Sequence, residues 1–438
     1  MGSCDMGMRS LIQNKVARHL FSTQRRDAKR RKVEKTRRAK KQPHIVEYYH
    51  EAGDPYSHLM VQVLPEFCAR FAIEFRAHIV SPPPDWAAPD RDRLQSYSRM
   101  DAQRLAARGG LRFSDPGYQP SRTKLAEANA ALVSAVKDGA FPERAADIED
   151  ALWSDIPLDV VKADAGLVEQ MLKQATERRD TKGHYLGGTL FYGGEWYWGI
   201  DRLHHLERRL CDLGAVNGEV NAPIFSPPVV PSSSAEPSAT ERPELHWYLS
   251  FRSPYTGIVG ARVKALADAY GADLKLRYVL PMVMRGMEVR RSKGFYIMGD
   301  TVREAERLGI PFGNMCDPVG RPVERGYAIL HKAIELGKGF EFAQSFLSGV
   351  WAEGIDAGRD RGLKMITERA GLSWVDMQPL LSGDHWRADE EINQAEMFDH
   401  GVWGVPSFRV GKVAAWGQDR LWVIEDALKA ATQRETTT

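Results

Sequence analysis

Residues Glu244–Val263 read ELHWYLSFRSPYTGIVGARV. Leu245, Trp247 and Leu249 alternate with His246 and Tyr248, as in a strand, and the run then breaks at Arg252-Ser253-Pro254. A hydroxyl at the N-cap followed by proline at the first helical position opens a helix, because Ser accepts from an orphan amide and Pro has none to leave orphaned. That punctuation by itself demands no function. Downstream, DLKLRYVL (Asp273–Leu280) supplies a second strand, so the segment reads strand, helix, strand.

The same plan occurs earlier in the chain. HIVEYYHEAGDPYSHLMVQVL (His44–Leu64) sets Asp54-Pro55-Tyr56-Ser57 opposite Ser253-Pro254-Tyr255-Thr256. Near the other end of each half, LGGTLFYGGEWYWGIDRLHHLERRL stands opposite GVPSFRVGKVAAWGQDRLWVIEDAL, which matches Trp198-Gly199, Asp201-Arg202-Leu203, Glu207 and Leu210 with Trp416-Gly417, Asp419-Arg420-Leu421, Glu425 and Leu428. FPERAADIEDALWSD at Phe141 parallels FEFAQSFLSGVWAEG at Phe340. Each half therefore reads strand, helix, strand, a long helical stretch, a hairpin turning at Gly193-Gly194 or Gly411-Lys412, and a closing helix. The expected fold class is α/β, with two tandem thioredoxin-like domains that each carry a helical insertion after the second strand. The expected boundaries are a basic arm at 1–42, a first domain at 43–213, a Pro/Ser-rich linker at 214–243, a second domain at 244–430 and a tail at 431–438.

Composition narrows the rest. The chain has 438 residues, 43% apolar and 27% charged, enough for two or three domains with cores of their own. No apolar run approaches the roughly 20 residues of a membrane helix. Cys4, Cys68, Cys211 and Cys316 are scattered, with no CxxC pair and no zinc spacing, which points to a reducing, cytoplasmic setting; Cys316 reads as a small buried apolar residue. The net charge of +2 hides an asymmetry, since residues 1–42 hold fourteen Lys and Arg against three acids and the remainder is acidic. The arm reads as a solvated or frayed helix. Its alternatives are weak contact with anionic membrane, to which Ile12, Val16 and Leu20 on one helical face would contribute, or an organellar targeting segment. It lacks the interleaved aromatics that stack bases, so no specific nucleic-acid partner is expected.

The second half resembles the DsbA-like superfamily, in the branch of 2-hydroxychromene-2-carboxylate isomerases and kappa-class glutathione transferases. The resemblance is carried by SPYT at Ser253, RRSKGFYIMGDTVREAERLGIPF from Arg290, WAEGID at Trp351, AGL at Ala370, GVPSF at Gly404 and WGQDRL at Trp416. It implies glutathione as cofactor, a small electrophilic substrate of which an aromatic compound is one kind, and Ser253 where thiol oxidases have their attacking cysteine. A thiolate at a helix N-terminus is stabilised by outward-pointing amides and the local positive end of the dipole, so Ser253 is expected as a stabiliser and not a nucleophile. Val405-Pro406 resembles the family's cis-proline site, where the Val405 backbone would pair with the tripeptide; a trans proline entering an edge strand is the competing interpretation. Gln418 and Asp419, ahead of the last helix, are expected at the γ-glutamyl end, although Asp419 also suits a plain N-cap. Tyr255, Lys293, Tyr296 and Asp300 are candidates for the substrate pocket. Lys293, Tyr296, Asp300 and Arg303 would share one helical face, which otherwise reads as solvated.

In the first half Asp54 replaces the serine, and a carboxylate opposes a neighbouring thiolate; Gly188-Thr189 replaces Pro406-Ser407. That half is expected to be a degenerate domain pairing with the second as an intrachain pseudo-dimer. No metal site is expected, His204-His205 reading as helix surface. Two other functions remain open: a thiol-disulfide oxidoreductase, and a non-catalytic binding module recruited through the basic arm.

Overall fold

The structure, a computed structural model, describes residues 18–154, 156–158, 160–228 and 242–434. Cys4, Ile12 and Val16, the middle of the expected linker and the end of the tail lie outside the described residues. The chain divides into two units, one formed by Asp27–Pro227 with Val289–Tyr296, the other containing residues 242–288 and 297–434.

α1 (Thr23–Ala39) enters the first unit at Asp27. Of the solvated or frayed helix expected for the arm, α1 is the solvated form, a regular 17-residue helix with no buried residue. Arg30 forks onto Glu195 at 2.6 and 2.7 Å, and Arg37 bridges Glu34 and the Gln42 carbonyl, so side-chain anchors hold it where apolar burial cannot. β1 (His44–His50), α2 (Pro55–Arg70) and β2 (Ile73–Ile79) follow, then an insertion of α3 (Arg91–Gly109), α4 (Arg122–Lys137), α5 (Phe141–Trp153) and α6 (Ala165–Thr181). β3 (Thr189–Tyr192), β4 (Glu195–Trp198) and α7 (Leu203–Asp212) close the unit. Gly193 and Gly194 turn the hairpin with φ of 54° and 83°, the left-handed pair that a two-residue turn matched to strand twist requires. The strand order is β2-β1-β3-β4, with β1 and β2 parallel and the other pairs antiparallel.

Residues 214–227, expected as linker, pack on this unit. Ala215 and Phe225 are buried, Phe71 and Val216 form a β-bridge, and the Glu207 carboxylate accepts from the Ile224 amide. Pro, Ser and Ala content does not report these contacts. His204, expected on a helix surface, is buried.

The second unit runs β5 (Glu244–Leu249), α8 (Pro254–Gly257), α9 (Gly260–Ala269) and β6 (Asp273–Tyr278). Its insertion holds α10 (Arg291–Leu308) from Ile297 on, α11 (Arg321–Glu335), α12 (Gly339–Ser348), α13 (Asp360–Arg369), α14 (Trp374–Met377) and α15 (Arg387–Asp399). β7 (Ser407–Val410), β8 (Val413–Trp416) and α16 (Leu421–Arg434) complete it. The sheet order β6-β5-β7-β8 repeats the polarity of the first sheet. This is the thioredoxin-like plan expected for the second half, and the first half has a similar sheet. β5 is the central strand and every residue from Leu245 to Leu249 is buried, as for a strand covered on both faces. α9 and α15 pack against β6, and α16 against β7 and β8. Trp247, Phe251, Tyr327, Phe346 and Trp386 form the centre of the core; each such side chain contributes about 1.5–3 kcal/mol by burial. The core fixes β5, and β5 fixes the loop that leads to Ser253.

Candidate functional site

Ser253 caps α8 with extended backbone (φ −86°, ψ 116°), and its Oγ accepts from the Thr256 amide at 3.2 Å. The same hydroxyl donates to the Val405 carbonyl at 3.2 Å. Val405-Pro406 is a cis peptide, so the expected cis proline is present and the trans alternative is set aside. Residues 152 apart in sequence are thus joined at one hydrogen bond. Val405 is half-exposed, and its N–H makes no hydrogen bond among the described residues. A half-exposed backbone donor beside a half-exposed hydroxyl is what an incoming extended peptide would meet.

The helix that starts at Ser253 differs from its counterpart. α2 runs uninterrupted from Pro55 to Arg70, whereas α8 lasts one turn before α9 restarts at Gly260. Between them the amides of Ile258 and Val259 reach back three residues, to Tyr255 and Thr256. Two glycines accompany the break. A Cβ on Gly257 would lie 2.8 Å from the Trp351 ring, and one on Gly260 would lie 2.3 Å from Gln344 Oε1. The electrostatic asset of this site is therefore its first-turn amides and not a long aligned helix, which agrees with the short reach of the helix dipole.

Gly417 donates from its backbone to the Pro406 carbonyl at 2.9 Å, which ties the residue before Gln418 and Asp419 to the cis proline. Its φ of 122° and the 2.6 Å that would separate a Cβ there from Asp419 Oδ1 make glycine necessary. Gln418 itself is buried. Its carbonyl takes Arg262 and its amide donates to Glu304 at 2.8 Å, while Arg307 forks onto the same Glu304. Burial pulls the Arg262 guanidinium down to about 10 against the opposing charge of Glu304. The Gln418 side chain thus belongs to an internal polar network. Asp419 is buried, with Arg420 at 3.3 Å.

The candidate pocket residues separate. Tyr255 donates to Asp300 Oδ2 at 2.7 Å, and Arg303 holds the other oxygen at 3.0 Å. Lys293 and Tyr296 fall instead in the first unit, where the Tyr296 ring meets His184 edge-on at 4.7 Å. The face shared by Lys293, Tyr296, Asp300 and Arg303 is on one helix, α10, as the spacing predicted, but all four are buried and the solvated reading is corrected. Burial lowers the Lys293 ammonium below its ordinary range.

The first half has a feature that sequence comparison passed over. Tyr56 donates to Asp101 at 2.9 Å, 45 residues on, as Tyr255 does to Asp300, also 45 residues on. Tyr97, Asp101, Arg104 and Arg108 match Tyr296, Asp300, Arg303 and Arg307 at a constant offset of 199 residues, the offset that also relates Asp54 to Ser253 and Phe141 to Phe340. A search at fixed offset would have found it. At the cap, Asp54 accepts from the Tyr56 amide, the Ser57 amide and the Ser57 hydroxyl. Gly188 stands against this cap, a Cβ there lying 3.1 Å from the Ser57 nitrogen. Burial raises both Asp54 and Glu51, and the Asp54 charge pushes Glu51 further up. The donors that Ser253 leaves to share are, in the first half, taken by the chain's own carboxylate. Cys316 is buried, as expected.

Residues 244–429 match the family described as DSBA-like thioredoxin domain. The chain is 24% identical over 194 residues to the 2-hydroxychromene-2-carboxylate isomerase of Pseudomonas putida, covering 42% of this chain and 93% of that one. A solved structure of 2-hydroxychromene-2-carboxylate isomerase is similar at 20% identity and a TM-score of 0.39, over 44% of this chain and 98% of the other. Cytosolic disulfide reductase DsbM from Pseudomonas aeruginosa, solved with GSH, is similar at 17% identity and a TM-score of 0.34, over 44% and 100%. Among the described residues no helix is long and apolar enough to cross a membrane.

Proposed function

We propose that the second half is a glutathione-dependent isomerase or transferase acting on a small electrophilic substrate, with Ser253 at its centre. The observation that carries this is the Ser253 hydroxyl at the start of α8, 3.2 Å from the carbonyl of the cis Val405-Pro406 bond. Glutathione, when bound, would supply a thiolate that adds to the substrate and, in an isomerisation, departs again after bond rotation. The residues of the chain provide the rest. The Ser253 O–H turns from the Val405 carbonyl toward the sulfur, and the first-turn amides add positive potential that keeps the sulfur ionised near neutral pH. The Val405 N–H and C=O pair with the tripeptide backbone as an added strand. The Gly417-Gln418-Asp419 segment, tethered to Pro406, offers the Asp419 carboxylate to the α-ammonium and its backbone amides to the α-carboxylate of the γ-glutamyl end. Tyr255, Asp300 and Arg303 serve as a brace behind the cap, because the Tyr56–Asp101 pair recurs in a half whose cap is filled by Asp54. Lys293 and Tyr296, offered from sequence as pocket residues, are assigned no contact with substrate.

The DsbA-like match fits thiol-disulfide oxidoreductases equally well as a fold. The serine separates the two, since a hydroxyl cannot form the mixed disulfide through which such enzymes turn over. The first half is proposed as a degenerate duplicate, supported by the 199-residue offset and the shared sheet order. The test is isomerisation of 2-hydroxychromene-2-carboxylate followed by absorbance with and without glutathione. Turnover that requires glutathione and falls with Ser253→Ala supports the assignment; insulin reduction by the wild type, undiminished in Ser253→Ala, would replace it with a redox function.

A further inference from the structure

Between α8 and α9 the backbone leaves one carbonyl over. The Arg262 amide donates to the Val259 carbonyl at 2.9 Å, so the Ile258 carbonyl, which an unbroken helix would bond to that amide, is left to a side chain. Arg262 itself takes it, its Nε–H donating at 3.4 Å, while its Nη2 donates to the Gln418 side-chain carbonyl. Both acceptors are neutral. Among the described residues Arg262 makes no ion pair, and Glu304, whose charge acts on it, is forked by Arg307. The remaining terminal nitrogen, Nη1, makes no hydrogen bond among the described residues and is not sealed in the interior as the unpartnered core donors are. The first half shows what this corner needs for packing alone. At the 199-residue offset Arg262 matches Val63, and with Trp198-Gly199 set on Trp416-Gly417, Gln418 matches Ile200. Val63 and Ile200 are buried, and α2 runs past Val63 without a break. An apolar pair therefore suffices for the fold, whereas a cation drawn out of water without an acid partner is destabilising. Arg262 and Gln418 stand in the half whose cap is open.

We infer that Arg262 is a specificity residue, whose Nη1 receives the α-carboxylate of a γ-glutamyl thiol. The inference deepens the proposed glutathione function and rests on it. A γ-glutamyl head is an amino-acid zwitterion, so its site needs an acid for the ammonium and, within reach of that acid, a cation for the carboxylate. Asp419 is the acid. Arg420 is already held to Asp419 at 3.3 Å and Arg307 to Glu304, which leaves Arg262, whose charge feels that of Asp419 and whose Nη2 grips the residue before it. A guanidinium is planar, so anchoring two of its nitrogens fixes the direction of the third. The ligand carboxylate then stands where the chain supplies no counter-ion of its own. The helix break acquires a chemical use, because it frees the Ile258 carbonyl that orients the guanidinium. A thiol without the charged head leaves Arg262 uncompensated, and the site discriminates against it.

The test is calorimetric titration of the full-length chain with glutathione and with glutathione amidated at the γ-glutamyl α-carboxylate, in wild type, Arg262→Met and Arg262→Val/Gln418→Ile. The double variant installs the apolar pair of the first half, so the corner stays packed if the single variant fails to fold. Wild type should prefer glutathione to its amide by about tenfold or more. Both variants should lose most of that preference, because glutathione binds them more weakly while its amide does not. A purely structural role would weaken both ligands by one common factor and leave the preference intact, which overturns the inference. Equal binding of the two ligands by wild type, or unchanged affinity for glutathione in the variants, overturns it as well and leaves the proposed function standing. Failure of wild type to bind glutathione is a separate outcome, which overturns the proposed function and this inference together.

Discussion

The two caps, Ser253 and Asp54, occupy matching places and make opposite use of the same donors. Ser253 shares one amide and offers a proton; Asp54 gathers three donors into its own carboxylate. Replacing Asp54 with Ser should therefore free the cap of the first half without giving it affinity for glutathione, because Gly188 leaves no proline opposite; a larger number of tripeptides bound per chain in Asp54→Ser than in wild type would contradict this. Glu51 bears on pH. Its folded-state pKa is raised by burial and by Asp54, so as pH climbs past about 4.3, the ordinary carboxylate value, the unfolded chain ionises first and stability is lost progressively toward the raised value. Glu51→Gln should remove that loss. The difference in melting temperature between variant and wild type should grow from pH 5 to pH 8, and a constant difference would refute the assignment.

At the scale of elements, the break between α8 and α9 depends on tertiary contacts. Gly257→Ala forces a Cβ to within 2.8 Å of the Trp351 ring, and the overpacking should cost about 1–3 kcal/mol in denaturant unfolding even though alanine is the better helix former. A gain in stability would mean that Trp351 yields freely. Trp247→Ala removes the centre of β5 and should cost about 3–5 kcal/mol. The two tyrosine braces offer a comparison between halves. Tyr56→Phe and Tyr255→Phe each leave a buried carboxylate short of one donor, and both should lose stability by about 1–3 kcal/mol. If Tyr255→Phe instead spared stability and abolished turnover, Tyr255 would be catalytic and the bracing role would be wrong.

Over the whole molecule, charge and fold are arranged separately. The basic segment is concentrated in α1, whose ion pairs at Arg26, Arg30 and Arg37 are screened by salt, while the sheets rest on apolar cores. Much of this was legible beforehand. Alternation in β5, the Ser-Pro punctuation and the glycine turns marked the strands, the cap and both hairpins, because those signals act within a few residues. The site pairing of Ser253 with Val405-Pro406 rested on resemblance, since no local rule joins residues so far apart. What escaped depends on packing. The Trp351 ring packed against Gly257, the burial of the α10 face and of His204, and the return of residues 214–227 onto the first unit all follow from neighbours distant in the chain. A composition rich in Pro, Ser and Ala cannot report that Phe225 is buried.

The central claim is that the start of α8 stabilises an ionised sulfur through the Ser253 hydroxyl. Thiolate absorbance of glutathione bound to the full-length chain, titrated against pH, tests it most directly. The account predicts an apparent thiol pKa at least about one unit below the ordinary 8.5, with that shift lost in Ser253→Ala; no binding, or a pKa unmoved in wild type, would contradict it.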